Sequence, residues 1–178
     1  MVKSSPEGTT YARPESRGRF RPAPFGPEQM SQMTSPKDFN LLLDFAFGMA
    51  DRGVPLSLVV VAPDRQGDDP SAAMQASLSR LEADLGNSTR RSDRITRREG
   101  GLFVALLVDC NRQGALVFSD RMLEAGSAFG LMSGLTLSCG IASFREGIKT
   151  PGDLEEAAKR APEAARSLGG NRIEIAEG

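Results

Sequence analysis

The chain has 178 residues, with 22 Lys+Arg against 23 Asp+Glu, two cysteines, 11 prolines and no histidine, a length that suits one domain or one domain with a tail. A formal net charge of −1 leaves no basic surplus for wrapping a nucleic-acid polymer. The missing histidine excludes His-ligated zinc, a Ser/His/Asp triad and any imidazole base, so catalysis would fall to carboxylates or lysine.

Residues 1–36 hold six of the eleven prolines, interleaved with Arg13, Arg17, Arg19 and Arg21. Such a stretch cannot bury enough apolar area to offset its ordering entropy and reads as a flexible tail. It serves either as a linker or as a recognition peptide centred on Arg19-Phe20-Arg21.

From Lys37 onward Phe39, Leu42, Leu43, Ala46, Phe47 and Ala50 recur at helical spacing, which predicts a one-faced helix ending at Arg52-Gly53. Leu56 to Ala62 is a valine-rich apolar run that suits a strand covered on both faces. Asp69-Pro70 then supplies an N-cap and first-turn proline for a helix carrying Met74, Leu78, Leu81 and Leu85 on one side. A short strand around Ile95, a Gly100-Gly101 turn and a strand from Leu102 to Asp109 read as a hairpin.

A helix over 111–129 follows, then a strand over 135–144. Thr150-Pro151-Gly152-Asp153 starts a capped helix that stops at Gly169-Gly170, with Pro162 expected to kink or split it. Residues 171–176 alternate like an edge strand. This order predicts an α/β domain over 37–178, a mixed sheet with helices on its faces. Cys110 and Cys139 lie in apolar stretches without C-x-x-C spacing and read as reduced, buried thiols of a cytoplasmic protein. The apolar runs fall short of the roughly 18 residues of a membrane span, and the polar start after Met1 lacks a signal-peptide core.

Around the hairpin stand Arg90-Arg91-Ser92-Asp93 and, after Arg97, Glu99-Gly100-Gly101-Leu102-Phe103. This resembles the GGDEF family of diguanylate cyclase domains, in which R-x-x-D precedes a strand, an Arg and the signature G-G-D/E-E-F. Ser138-Cys139-Gly140-Ile141-Ala142 is similar to the family's S-x-G-I-A strand. Leu154, Ala158, Ala161, Ala165, Arg166, Gly169 and Asn171 follow its terminal L-x-x-x-A-D-x-A-L-Y-x-A-K-x-x-G-x-N motif without a gap. The resemblance covers residues 37–176. It implies a nucleotidyl-cyclase-like palm, with a mixed, mostly antiparallel central sheet flanked by helices.

Diguanylate cyclases join two GTP molecules using metal ions, and Mg²⁺ needs hard oxygen ligands at fixed positions. The family takes these from an Asp ending the first strand and from the signature acids. Here those positions hold Ala62, Gly101 and Leu102. Asp64, Asp68 and Asp69 lie nearby and read as turn and N-cap carboxylates, the alternative being a residual metal-dependent enzyme. Pro70 and Gln75 stand near the guanine-binding positions, while Lys159, Glu163 and Arg166 replace the terminal motif's Asp, Tyr and Lys. The resemblance therefore implies a catalytically inactive domain that takes no metal and no cofactor.

What is kept is the family's inhibitory R-x-x-D site for cyclic di-GMP, with Arg90 and Asp93 in its named positions and Arg121 at the second arginine. Guanidinium groups bond guanine O6/N7 or grip phosphate, and a carboxylate accepts from guanine N1 and N2. Arg91, Arg94 and Arg97 are candidate accessory contacts. The competing reading makes these arginines a solvated basic stripe. The expectations are thus a cyclic di-GMP receptor that relays its signal to a protein partner, with a ligand-mediated homodimer as one outcome. The alternative is a scaffold that associates with proteins without any ligand.

Overall fold

The structure, a computed structural model, describes residues 33–64, 72–133 and 136–176. Its elements run α1 (Pro36–Ala50), β1 (Leu56–Asp64), α2 (Ala72–Ser88), β2 (Arg94–Arg97), β3 (Phe103–Val108), α3 (Arg112–Ser133), β4 (Thr136–Ser143), α4 (Pro151–Ser167) and β5 (Ile173–Ile175). The sheet order is β2-β3-β1-β4-β5. All pairings are antiparallel except β4 with β5.

The valine-rich run is apolar on both sides of the pleat and becomes the central strand, buried along nearly its whole length. Val59 and Val61 face Leu78, Leu81 and Leu85 of α2 and Ala115, Phe118 and Met122 of α3. Leu58 and Val60 face Phe39, Leu43 and Phe47 of α1 and Leu154 and Ala158 of α4. Period-2 alternation thus splits one apolar strand between two cores. An edge-to-face contact of Phe47 with Phe144, centroids 5.0 Å apart, closes the α1 side.

Three expectations are revised. Met33 to Pro36 are part of the domain and not of a tail: Met33 bridges Ile95, Thr34 N donates to Ile95 O at 2.7 Å, and Ser35 caps α1 by accepting from Asp38 N at 3.1 Å. The tail expectation for residues 1–32, the Asp69-Pro70 cap and the Met74 side chain lie outside the described residues. Leu42 is not a core residue; it is 38% exposed, beside Leu41 and Phe45 at 61% and 70%. It falls at the margin of the helical stripe.

Pro162 does not split the last helix, which runs unbroken from Pro151 to Ser167. Proline removes one donor and leaves the Ala158 carbonyl without its helical partner. That carbonyl faces Gly140 of β4, where an added Cβ would overlap both Ala158 O and Pro162 Cδ. The buried proline and its helix thus pack closely on a strand glycine. At its start, Thr150 and Asp153 form a reciprocal capping box, with bonds of 3.0 and 3.1 Å.

Candidate functional site

The R-x-x-D segment forms a closed turn between α2 and β2. Thr89 Oγ1 donates to the carbonyls of Leu85 and Gly86 at 3.2 and 3.1 Å, ending α2. Asp93 N then donates to Arg90 O at 3.0 Å, and Arg90 N donates to Asp93 Oδ2 at 3.1 Å. Ser92 Oγ donates to Asp93 Oδ1 at 3.1 Å. Asp93 is 4% exposed, so its carboxylate organises the turn from below while Arg90 stands exposed above it.

Opposite this turn, β3 passes into α3 through Asp109, whose φ of +52° is a left-handed conformation that Asp tolerates. Asn111 caps α3 by accepting from Gly114 N at 3.0 Å. Helical spacing then sets Gly114, Val117, Phe118 and Arg121 on one face. Arg90, Asp93 and Arg121 line a single depression, with Leu107, Cys110, Gly114, Val117 and Phe118. Residues some thirty positions apart converge because β3 lies between the turn and the helix. The result is two exposed cations and a buried carboxylate around an apolar floor. Burial raises the Cys110 thiol above its usual range, Asp93 adds to the shift and Arg90 opposes it.

The accessory arginines are not in this lining. Arg94 Nη1 folds back to donate to the carbonyls of Arg91 and Asp93, both at 2.6 Å, and so stiffens the turn. Arg97, at the other end of β2, pairs with Glu82 at 3.6 Å and stands 5.9 Å from the Phe103 ring centroid. Arg91 is exposed on the turn itself. The extended strand carries Arg97 away, and the turn's own carbonyls claim Arg94. Gly114, Val117 and Cys110 were missed by the sequence reading; for Gly114 and Val117 the i−7 and i−4 spacing from Arg121 on a helix was the signal available, whereas Cys110 precedes the helix.

At the signature turn, Arg98 N donates to Leu102 O at 2.8 Å, and Gly100 and Gly101 take φ of +74° and +76°. The two positions that the resemblance aligns with the signature acids are a left-handed glycine and Leu102, whose side chain packs against the α1-side core. Ala62 is fully buried. Arg98 bonds both oxygens of Glu155 at 3.2 Å, donates to Asn40 Oδ1, and stands 5.3 Å from the Phe39 ring centroid. Lys159 pairs with Glu155 at 3.1 Å and Glu156 at 3.4 Å. Burial pulls the Lys159 pKa down, but the hydrogen bonds and charges of Glu155 and Glu156 outweigh it and the net shift is upward.

Asp64 is neither a turn nor an N-cap carboxylate. Ending β1, it accepts from Thr136 Oγ1 at 2.8 Å, Ser138 Oγ at 2.7 Å and Asn171 N at 2.8 Å. It ties β1, β4 and the stop of α4 together, and its approach to Gly170 (φ +72°) leaves no room for a Cβ there. Asp68, Asp69 and Pro70 lie outside the described residues. Gln75 is exposed on α2, and Glu163 and Arg166 are exposed on α4.

No protein-family profile matches the chain, and no curated protein matches it. Solved structures do. The coiled coil and GGDEF domain of DgcB from Caulobacter crescentus, in complex with c-di-GMP, is similar at a TM-score of 0.71 and 19% identity, over 82% of this chain and 83% of that one. The active GGEEF domain of a diguanylate cyclase from Vibrio cholerae is similar at a TM-score of 0.70 and 18% identity, over 80% and 96%. The diguanylate cyclase SiaD from Pseudomonas aeruginosa, in complex with its activator SiaC, is similar at 0.65 and 17%, over 80% and 58%. Sheet order, helix placement and these likenesses agree: the chain has the GGDEF-domain fold.

Proposed function

We propose that this chain is a catalytically inactive GGDEF-fold domain that binds cyclic di-GMP through Arg90, Asp93 and Arg121 and relays occupancy to a protein partner. The observation that carries the reading is the meeting of those three side chains around one depression. Two guanidinium groups suit the two phosphates and the O6/N7 edge, and Asp93 suits the N1/N2 edge. Inactivity draws support from the signature turn, where Gly101 and Leu102 offer no oxygen ligand, and from Asp64, whose carboxylate already serves three donors. No metal or cofactor is part of the proposal. The c-di-GMP complex of DgcB and the SiaD–SiaC complex are the kinds of ligand and partner association the fold supports elsewhere.

Calorimetry with cyclic di-GMP on the full chain tests the reading. A few contacts of ~1–3 kcal/mol each give binding near the micromolar range, about −8 kcal/mol. Arg90→Ala and Arg121→Ala should each weaken it at least tenfold, and absence of heat from the wild type would overturn the proposal. GTP with Mg²⁺ or Mn²⁺ should yield no cyclic dinucleotide; sustained turnover would overturn the inactive assignment. The ligand-independent scaffold draws on one observation, the exposed Leu41, Leu42 and Phe45 of α1. It is favoured if a partner is retained equally with and without cyclic di-GMP and by Arg90→Ala.

A further inference from the structure

Helix α1 carries apolar side chains on two opposite faces. Its inner face, with Phe39, Leu43, Ala46, Phe47 and Ala50, is buried against the sheet and α4. On the outer face Leu41 and Phe45 are 61% and 70% exposed, Leu42 is 38% exposed and Met49 is half-buried. These positions follow the i, i+3, i+4, i+7 spacing by which one helix face meets another. Asp38 at the start of the face and Arg52 just past its end are both exposed. Gly48 completes the outer face, and the fold does not ask for it. Its φ is not left-handed, and an added Cβ would meet no atom within 4 Å. The stop of α1 is supplied instead by Gly53, with a φ of +93°. Glycine is, after proline, the residue least suited to a helix, so an exposed one with open space above it fits a close approach from outside.

We propose that this face pairs with the same face of a second copy of the chain, the two α1 helices lying antiparallel about a two-fold axis at Phe45. The inference is independent of the cyclic di-GMP reading. Its support is that the face complements its own reversal. Across such an axis, residues equally far from Phe45 in opposite directions come together. Phe45 meets Phe45 of the partner subunit, and Leu41 and Leu42 reach Gly48 and Met49 of the partner subunit. At each end Asp38 stands against Arg52 of the partner subunit. Antiparallel alignment also brings the positive N-terminal end of each helix dipole beside the negative C-terminal end of the other. A partner of different sequence would need none of this palindromic order. The contact is isologous, so it closes at two copies. A single helix face is at the small end of specific interfaces, and a dimer in the micromolar range is expected.

Sedimentation equilibrium of the full chain without cyclic di-GMP, from about 1 to about 200 μM, tests the proposal. The wild type should pass from monomer to dimer with nothing larger. Phe45→Glu sets two carboxylates on the axis, and Gly48→Gln fills the open space while improving helix propensity. Each should weaken dimerisation at least tenfold, with a melting temperature in dilute solution no lower than that of the wild type. Asp38→Arg and Arg52→Asp should each weaken it at least threefold, and an equimolar mixture of the two should recover the loss, which a folding defect could not do. Arg121→Ala lies outside the face and should dimerise like the wild type. A wild type that stays monomeric throughout overturns the proposal and leaves the face to a different protein. A dimer that persists within twofold in both Phe45→Glu and Gly48→Gln overturns it as well, because association then uses another surface. A mixture that associates no better than either charge variant alone overturns the antiparallel pairing.

Discussion

At the scale of single residues, the two cysteines occupy environments that chemistry can tell apart. Cys139 lies fully buried in β4, where burial, with the Asp64 charge adding, pushes its thiol up to about 12 from 9.0. Only the thiolate reacts, so Cys139 should resist N-ethylmaleimide at pH 8 in the native state while Cys110, half-buried, is modified first. Mass spectrometry after limited labelling checks the order. The sign of the linked stability follows: the folded state holds this proton more tightly than the unfolded chain, so the Cys139 contribution is complete below about pH 9 and is lost as pH rises toward 12. Urea midpoints across that window should fall less steeply for Cys139→Ala than for the wild type.

Asp64 gives a second prediction at this scale. Asp64→Ala leaves the donors of Thr136, Ser138 and Asn171 without their acceptor, each unsatisfied buried group costing ~1–3 kcal/mol. Partial solvent access at the strand end lowers the sum, and a loss of about 2–4 kcal/mol in urea unfolding is expected. A carboxylate held for metal would behave differently, since removing it would relieve repulsion. Sequence could identify Asp64 as a surviving acid, but not that three donors from remote segments would meet it.

At the scale of elements, the contact between α4 and β4 leaves little room for change. Gly140→Ala would drive a methyl group into Pro162 Cδ and a backbone carbonyl, neither of which is a flexible side-chain end. Overpacking of this kind costs ~1–3 kcal/mol. A thermal melt should show the loss, and Gly140→Ala/Pro162→Ala should recover part of it, because alanine restores the helical N–H and removes the ring. Apolar spacing was a sound guide to α1, α4 and β1. It could not say that Leu42 would be exposed, because stripe width depends on the surface it meets. Nor could it say that a mid-helix proline would be accommodated, which depends on a glycine some twenty residues earlier in the chain.

At the scale of the whole molecule, the proposed ligand engages an α2–β2 turn and a β3–α3 helix that are held together only in the folded state. A ligand that binds the folded chain alone stabilises it by ~2.7 kcal/mol at 100 times its Kd. Cyclic di-GMP at that excess should therefore raise the melting temperature of the wild type by several degrees and that of Arg121→Ala by no more than about half as much. The Arg98–Glu155–Lys159 network, with Asn40, links the signature turn to α1 and α4. Arg98→Ala is accordingly expected to lower stability without changing cyclic di-GMP affinity, since it lies outside the depression.

The sequence by itself determined the order of helices and strands and the likeness to the GGDEF pattern, with Gly101 and Leu102 where that likeness puts acids. These are local or positional properties, written in periodicity, turn residues and spacing. It also named Arg90, Asp93 and Arg121 as candidates, because fixed spacing survives in the linear chain. Only the tertiary structure decided that these three share one depression and that Arg94 and Arg97 do not. It alone showed Asp64 bound by three internal donors, and Gly114 and Val117 beside Arg121. Convergence depends on how strands are ordered in the sheet and on which donors arrive from distant segments, and neither is encoded in any short stretch of residues.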